Sequence, residues 1–256
     1  MKKIVISFLI IVLSGCSYFQ DKGDETELWP AERLYAEARG ALDSGNYEKA
    51  VELYEKLEAR FPFGTYGQQA ILDLAYAYFK NDEPDACVST AERFIKLYPQ
   101  NAHVDYAYYL KGLANMQRGK GFTERILPLD ESQRDPASSL WAFEDFSDLV
   151  NRYPDSQYAE DARLRMKYLR NILAEHEVHV AHYYMRRGAY VAAANRARYV
   201  VEKYARTPSI PEALVIMAKA YKIMELNELS EDALRVLELN YPNHPGIFEV
   251  RAVRLQ

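Results

Sequence analysis

The stretch GNYEKAVELYEKLEARFP, residues 45–62, decides the fold of this chain. Its opening Gly45-Asn46-Tyr47 is a turn pattern that ends one helix and begins the next. Small and apolar residues then recur at helical spacing until an aromatic residue precedes Pro62. Because Pro lacks a backbone N–H and disfavours helical geometry in the residue before it, the helix is predicted to stop there. The stretch therefore predicts the turn and the second helix of a helix hairpin.

The same pattern occurs five times. An aromatic residue followed by Pro ends four units, and Tyr204 with the more distant Pro208 ends the fourth of the five. Each second helix has a small residue at one position and apolar residues four and seven residues later. These stripe positions are Ala50, Tyr54 and Leu57; Cys87, Ala91 and Phe94; Ala142, Phe146 and Leu149; Ala193, Ala197 and Val200; and Ser230, Leu234 and Leu237, where Ser230 is the small polar member. We predict an all-α fold, a solenoid of about five tetratricopeptide-like helix hairpins.

The unit lengths predict how the chain is divided. The repeat domain covers residues 30–242, with units at about 30–62, 66–99, 101–154, 156–207 and 210–242, followed by a tail at 243–256. The third unit has an insertion around 120–139, which we predict to be a loop on one face. The fourth is lengthened within 157–187, where Pro and Gly are absent, and this predicts one long helix. The tail is predicted to be either a short capping helix or disordered.

The N-terminus has the layout of a secretion signal. Two lysines precede an apolar run over residues 4–13 that is too short to span a membrane. Leu13-Ser14-Gly15-Cys16 then resembles the lipobox of bacterial lipoproteins, although an ordinary signal with a chance Cys is the alternative. The resemblance implies a signal peptide at 1–15, S-diacylglycerol and an N-acyl chain on Cys16, and a flexible tether over 16–29. Ser17 favours the outer membrane by the sorting rule of such lipoproteins.

Net charge and cysteine content limit which partners and cross-links the chain can have. The formal net charge is −5, and it becomes −7 when the two lysines of residues 1–15 are removed. This acidic balance without a basic cluster argues against a nucleic-acid partner. Only Cys87 remains beside the lipidated residue, so no internal disulfide can form, and its place in the stripe predicts a structural role. We predict no cofactor.

The sequence HEVHVAH places His176, His179 and His182 three residues apart. Two neighbours could share a metal ion, but three would fan too widely around a helix, and the spacing is not the HExxH of zinc peptidases. We assign no metal site and interpret the histidines as a partly exposed polar face. Without a catalytic motif, a repeat scaffold favours binding rather than catalysis.

Longer strings allow a closer comparison. They are FPFGTYGQQAILDLAYAYFK from residue 61, RFIKLYP from 93, RDPASSLWAFEDFSDLVNRYPDSQYAEDAR from 134 and YYMRRGAYVAAANR from 183. With the lipobox, they resemble the BamD family, also called YfiO or ComL, which comprises lipoproteins of the outer-membrane β-barrel assembly machinery. The resemblance extends to about residue 240. The three histidines and a longer tail after Asn240 depart from it.

The resemblance implies a non-enzymatic scaffold that is lipid-anchored in the outer membrane and faces the periplasm. Its implied partners are the POTRA region of BamA, the lipoproteins BamC and BamE, and the C-terminal signal strand of unfolded β-barrel proteins. For the signal strand, which offers an aromatic ring and free backbone groups, the implied contacts are Phe61, Phe63, Tyr66, Gln68, Gln69, Tyr76 and Lys96. For BamA they are Asn195 and Arg196, with Arg196 expected to point outward or along a rim where a partner carboxylate could meet it. The 120–139 insertion is a further surface for lipoprotein partners. Two alternatives remain, a lipoprotein bridging to the cell wall and a metal-dependent periplasmic enzyme that uses the histidines.

Overall fold

The computed structural model describes residues 25–64, 66–118 and 130–254. Within these ranges there are eleven α-helices, one 3₁₀-helix at Glu131–Gln133 and no strand, which confirms the predicted all-α fold. The α-helices are α1 Ala31–Asp43, α2 Tyr47–Arg60, α3 Gly67–Lys80, α4 Pro84–Leu97, α5 Val104–Arg118, α6 Ala137–Arg152, α7 Ala159–Arg186, α8 Tyr190–Lys203, α9 Ile210–Ile223, α10 Asn227–Asn240 and α11 Gly246–Ala252. None of these helices is both long and apolar enough to cross a bilayer.

The helices form five hairpins in chain order. Each helix from α1 to α10 packs against the next one, so the second helix of every unit also covers the first helix of the following unit. The first helices of successive units also touch directly, α3 with α5 and α7 with α9. This arrangement is the predicted solenoid, and its first helices supply the surface described below.

The stripe positions form the core of the hairpins, as predicted. All are buried except Leu234, which is half-buried. Full burial of a Leu or Phe side chain contributes about 1.5–3 kcal/mol relative to exposure. At the small position of the last unit the hydroxyl of Ser230 donates to the Ala218 carbonyl at 2.9 Å, so this polar group is satisfied. Burial raises the pKa of Cys87 to about 12, which keeps its thiol neutral and supports a structural role.

In four of the five units the turn after the first helix is described, and each of these turns uses a left-handed residue. In the first unit this residue is Gly45 at φ +80°, and the Asn46 N–H beyond it reaches back to the Ala41 carbonyl at 2.9 Å. This pattern is a Schellman cap, which satisfies carbonyls at the helix end and redirects the chain. The equivalent residues of the other three short turns are Asp82, Gly188 and Glu225, at φ 65°, 72° and 61°.

The insertion of the third unit packs against the lengthened helix of the fourth unit. The long helix predicted for the fourth unit is confirmed as α7, with 28 residues. The insertion prediction was wrong for residues 137–139, which already belong to α6, whereas residues 130–136 lie between helices and carry the 3₁₀-helix that packs against α7. Ser132 is fully buried there, and the Tyr168 hydroxyl on α7 donates to Glu131 at 2.8 Å. The extra turns of α7 provide the surface on which this segment docks. Residues 120–129 lie outside the described ranges.

The N-terminal segment differs from the predicted tether. Residues 25–29 dock on the first unit, because the Arg60 guanidinium donates to the carbonyls of Thr26 at 2.6 Å and Trp29 at 2.8 Å. The Trp29 ring packs on the first-unit core, with Arg33 lying 4.1 Å from its centroid. Residues 25–29 therefore belong to the folded first unit rather than to a flexible tether. Cys16, Ser17 and the signal segment lie outside the described residues.

The tail forms a capping helix, one of the two predicted possibilities. Ile247 and Val250 of α11 join the core formed by α9 and α10. The Lys222 ammonium group donates to the Val250 carbonyl at 2.9 Å near the end of α11. These contacts cover the last unit of the solenoid.

Candidate functional site

A carboxylate lies at the centre of a polar surface on the first two units. Asp73 on α3 is only 7% exposed, although it sits within an apolar helix. The hydroxyls of Tyr35 and Tyr54 donate to its Oδ2 at 3.0 and 3.2 Å, and Gln69 Nε2 donates to its Oδ1 at 2.8 Å. The Arg39 guanidinium lies 3.7 Å from Oδ2. A buried carboxylate needs such partners to offset its lost hydration.

Aromatic rings and an open cavity surround this carboxylate. Tyr66, just before α3, stacks on Tyr35 with ring centroids 5.0 Å apart. The cavity beside Asp73 measures about 460 Å³ and is lined by Arg39, Tyr76 and Tyr106 among others. We call the surface formed by Tyr35, Arg39, Tyr66, Gln69, Asp73 and Tyr76 the Asp73 face. Rings, hydroxyls, a carboxylate and a guanidinium thus lie together on this surface.

The tyrosines of the Asp73 face act as hydrogen-bond donors. Burial, together with the charge of Asp73 and the hydrogen bond to it, raises the pKa of Tyr35 to about 12. Burial and the same carboxylate raise the pKa of Tyr54 still further. Both hydroxyls therefore keep their protons at neutral pH and hold the carboxylate in place.

Three of the seven residues predicted to bind substrate lie on the Asp73 face, and the other four lie outside it. Tyr66, Gln69 and Tyr76 lie together on the Asp73 face. Gln68 instead accepts a hydrogen bond from Asn101 at 2.9 Å, at the turn after α4. The others are Phe61, half-buried on the first-unit core, Phe63, 90% exposed between α2 and α3, and Lys96, exposed on α4.

Sequence reasoning missed Tyr35, Arg39 and Asp73. A signal was present, because Asp73 interrupts the apolar run AILDLAYAYF of residues 70–79. An acid at a position where a helix is otherwise buried needs partners, and Tyr35 and Arg39 lie one turn apart on the preceding first helix. The long-range pairing itself could not be obtained from sequence spacing.

A second tyrosine–carboxylate group continues this row of first helices. The Tyr109 hydroxyl on α5 donates to Asp161 on α7 at 2.6 Å. Tyr109 also stacks on Tyr158, with ring centroids 4.8 Å apart. Asp161 in turn pairs with Arg165. Aromatic and charged groups thus line the first helices from unit one to unit four.

Arg196 points outward, as expected, and pairs with a carboxylate of its own chain. Its guanidinium on α8 lies 3.0 Å from Glu177 on α7, with the Arg side chain 47% exposed and the Glu side chain 14% exposed. The neighbouring Ala193 and Ala197 face the core, as predicted. Asn195 is exposed and accepts a hydrogen bond from Arg198 at 3.2 Å. An incoming carboxylate at Arg196 would meet a guanidinium already oriented by Glu177.

The three histidines make separate contacts. His176 Nδ1 lies 2.9 Å from the Ser132 carbonyl, so this nitrogen donates. His179 Nε2 lies 2.9 Å from the Ser132 hydroxyl, whereas His182 pairs with Glu212 on α9 at 3.0 Å. The hydrogen bond from His182 lowers the pKa of Glu212. The interpretation as a partly exposed face holds, but the histidines also fasten the insertion and the next unit to α7.

Asp130, Ser132 and His179 lack the arrangement of a hydrolase triad. The Ser132 hydroxyl lies 2.6 Å from Asp130 Oδ1 and must donate to it, because a carboxylate only accepts. In a catalytic triad the hydroxyl donates to the imidazole instead. Ser132 is also fully buried, so the group is a turn-stabilising contact rather than a nucleophile.

Comparison with known proteins gives a consistent result. Residues 29–237 match the YfiO family model, described as outer membrane lipoprotein. The chain is 44% identical over 250 residues to outer membrane protein assembly factor BamD of Neisseria gonorrhoeae, covering 96% of this chain and 93% of that protein. It is 39% identical over 229 residues to the protein of the same name from Vibrio cholerae, covering 90% and 94%. A crystal structure of a thermophilic TPR protein from Thermus thermophilus shares 14% identity over 87% of this chain and 95% of its own, with a TM-score of 0.40. The names of the two relatives describe an assembly factor, which confirms the prediction of a non-enzymatic protein.

Proposed function

The chain belongs to the YfiO family of outer membrane lipoproteins, and we propose that it is a scaffold of the outer-membrane β-barrel assembly machinery. The observation that carries this proposal is the 44% identity over 250 residues to a relative named as an outer membrane protein assembly factor. In this proposal a lipid on Cys16 holds the repeats at the periplasmic surface of the outer membrane. The repeats then bind partner subunits and unfolded barrel proteins.

The Asp73 face is the proposed receiver of the C-terminal signal of a barrel substrate. A strand that ends in an aromatic residue presents a ring, free backbone groups and a carboxylate. Stacked tyrosines suit the ring, the Gln69 amide suits backbone groups, and the Arg39 side chain, 49% exposed, suits the carboxylate. The cavity beside Asp73 gives the ring space to enter.

Arg196 is the proposed contact for the POTRA region of BamA. A planar guanidinium binds a carboxylate through two parallel hydrogen bonds, and the contact with Glu177 restricts its orientation before a partner arrives. Preorganisation of this kind lowers the entropy cost of binding. Asn195, exposed beside it, supplies a further amide.

BamC and BamE are the proposed lipoprotein partners of the docked insertion. A cavity of about 340 Å³ lies between this segment and α6, lined among others by Arg134 and Trp141. Trp141 is 46% exposed and has Arg118 stacked 5.2 Å from its ring. An exposed Trp beside Arg is the composition typical of interface hot spots.

The test is recovery of partners from the membrane. The full-length lipidated chain is extracted from outer membranes in mild detergent through a C-terminal tag, and the co-purifying chains are identified by mass spectrometry. We expect a POTRA-bearing barrel protein in stable proportion, and we expect Arg196→Glu to lose it. Glu177→Gln is the matched control, because it removes the internal pair and keeps the guanidinium. Recovery of cell-wall enzymes, or of no barrel protein, contradicts the proposed function; equal losses in both variants contradict only the Arg196 contact.

A further inference from the structure

Three groups that commonly bind metal ions meet where the insertion docks on α7. One ligand atom each from Asp130, Glu175 and His179 lies within 4.8 Å of the other two. Glu175 and His179 are four residues apart on α7, so their side chains lie one turn apart on the same face. Asp130 comes from the insertion, a separate segment of the chain. The three ligands therefore come from two separate segments of the chain rather than from one helix.

The charges at this site favour a cation. Among the described residues, the Glu175 carboxylate has neither a hydrogen bond nor an ion pair, and it lies beside a second carboxylate. Asp130 is held by its own turn, since Ser132 and Gln133 donate to its two oxygens at 2.6 and 2.9 Å. Hydrogen bonds of this kind orient a metal-binding carboxylate and fix its position.

The histidine can present a lone pair to this point. In the structure His179 Nε2 donates to the Ser132 hydroxyl, because that hydroxyl's own proton is directed at Asp130. The tautomer that carries its proton on Nδ1 instead frees Nε2 as a ligand. An open cavity of about 480 Å³, lined by His176, His179 and Tyr183 among others, exposes the histidine of this group to solvent. Asp130 and Glu175 are themselves exposed, so an ion can approach all three ligands from solvent.

We propose that Asp130, Glu175 and His179 form a binding site for a divalent transition-metal ion of the zinc class, which fastens the insertion to α7. One imidazole and two carboxylates, completed by water, match the ligands that zinc takes in proteins. Magnesium and calcium prefer oxygen ligands alone and would gain little from the imidazole. The role is structural, since the metal joins the third unit to the fourth, and it is separate from the assembly function proposed above.

The test is a zinc titration of the full-length chain in detergent, purified without a histidine tag and treated with EDTA. We expect one Zn²⁺ per chain by calorimetry, a zinc-dependent rise in melting temperature, and no competition from MgCl₂. Removing a residue that only hydrogen-bonds to a metal ligand weakens metal binding by about tenfold or more. Loss of a ligand itself should therefore weaken zinc binding by at least about tenfold. His179→Ala and Glu175→Gln should both show this loss. His182→Ala is the matched control on the same helix, and it should bind as the wild type does because its contact is Glu212.

The outcomes separate the proposal from a general effect on folding. Glu175→Gln keeps the shape of an exposed side chain that has no partner within the described residues, so it should leave the apo melting temperature unchanged. Absence of saturable zinc binding in the wild type overturns the site. So does unchanged zinc affinity in either ligand variant, or a loss of equal size in His182→Ala.

Discussion

The hydroxyl of Tyr35 lies 3.0 Å from the Asp73 carboxylate, so the first helices of the first two units are joined through a nearly buried acid. Both side chains also belong to the surface proposed to receive substrate. A hydrogen bond to a charged group contributes more to stability than one between neutral groups. Stability and binding are therefore coupled at this position.

The contact predicts a loss of stability at alkaline pH. Burial and Asp73 raise the pKa of Tyr35 from about 10 in the unfolded chain to about 12 in the folded one. The folded state thus holds the proton more tightly, and this contribution is complete below pH 10 and is lost as pH rises through 12. We expect Tyr35→Phe to reduce the fall in unfolding free energy between pH 9 and 11.5, measured by urea denaturation. Tyr183→Phe, an exposed control, should leave that slope unchanged, and an unchanged slope in Tyr35→Phe would contradict the prediction.

A side chain larger than hydrogen at Gly112 on α5 is predicted to overpack the core. A Cβ added there would lie 2.5 Å from the ring of Phe146 on α6, a stripe residue that is fully buried. Overpacking of a core costs about 1–3 kcal/mol, and we expect Gly112→Ala to lower the unfolding free energy by this amount. The control is Gly40→Ala at an exposed position of α1, where nothing lies within 4 Å of the added Cβ. There the better helix propensity of Ala should raise the unfolding free energy by up to about 1 kcal/mol. Urea denaturation compares the two, and effects of the same sign would contradict the argument.

Local pattern determined most of the fold, and long-range pairing determined most of the candidate site. Stripe positions and aromatic–Pro ends were visible in sequence because helical burial repeats every three to four residues. The docking of residues 130–136 was not visible, since nothing in their polar string indicates α7 as their partner. The same holds for Asp73, whose two tyrosine donors lie 38 and 19 residues away. Of the helix turns, only those with Gly were recognised, because Asp82 and Glu225 hold the left-handed position without the residue type that signals it.

Glu225 predicts a stabilising substitution. It adopts φ +61° in the turn after α9, a conformation that costs a residue with a Cβ roughly 1 kcal/mol and costs Gly little. We expect Glu225→Gly to raise the unfolding free energy by up to about 1 kcal/mol, less the added entropy of the unfolded chain. Gly188 at φ +72° is the matched position in the fourth unit, where Gly188→Ala should lower the unfolding free energy by a similar amount. The two variants are compared by urea denaturation, and destabilisation by Glu225→Gly would contradict the strain argument.

The division of the predicted substrate residues gives a binding test. Tyr66 and Gln68 are two residues apart, yet Tyr66 stacks on Tyr35 in the Asp73 face and Gln68 bonds to Asn101. We expect Tyr66→Ala in the full-length chain to weaken binding of a labelled peptide with the C-terminal strand of a β-barrel protein. The loss should be up to about tenfold, since an aromatic pair contributes about 0.5–1.5 kcal/mol beyond its buried area. Tyr66→Phe keeps the ring and should retain most of the affinity, and Gln68→Ala should bind as the wild type does, both measured by fluorescence anisotropy. Equal losses at Tyr66 and Gln68 would favour a wider site, whereas wild-type affinity in Tyr66→Ala would remove the Asp73 face as the receiver.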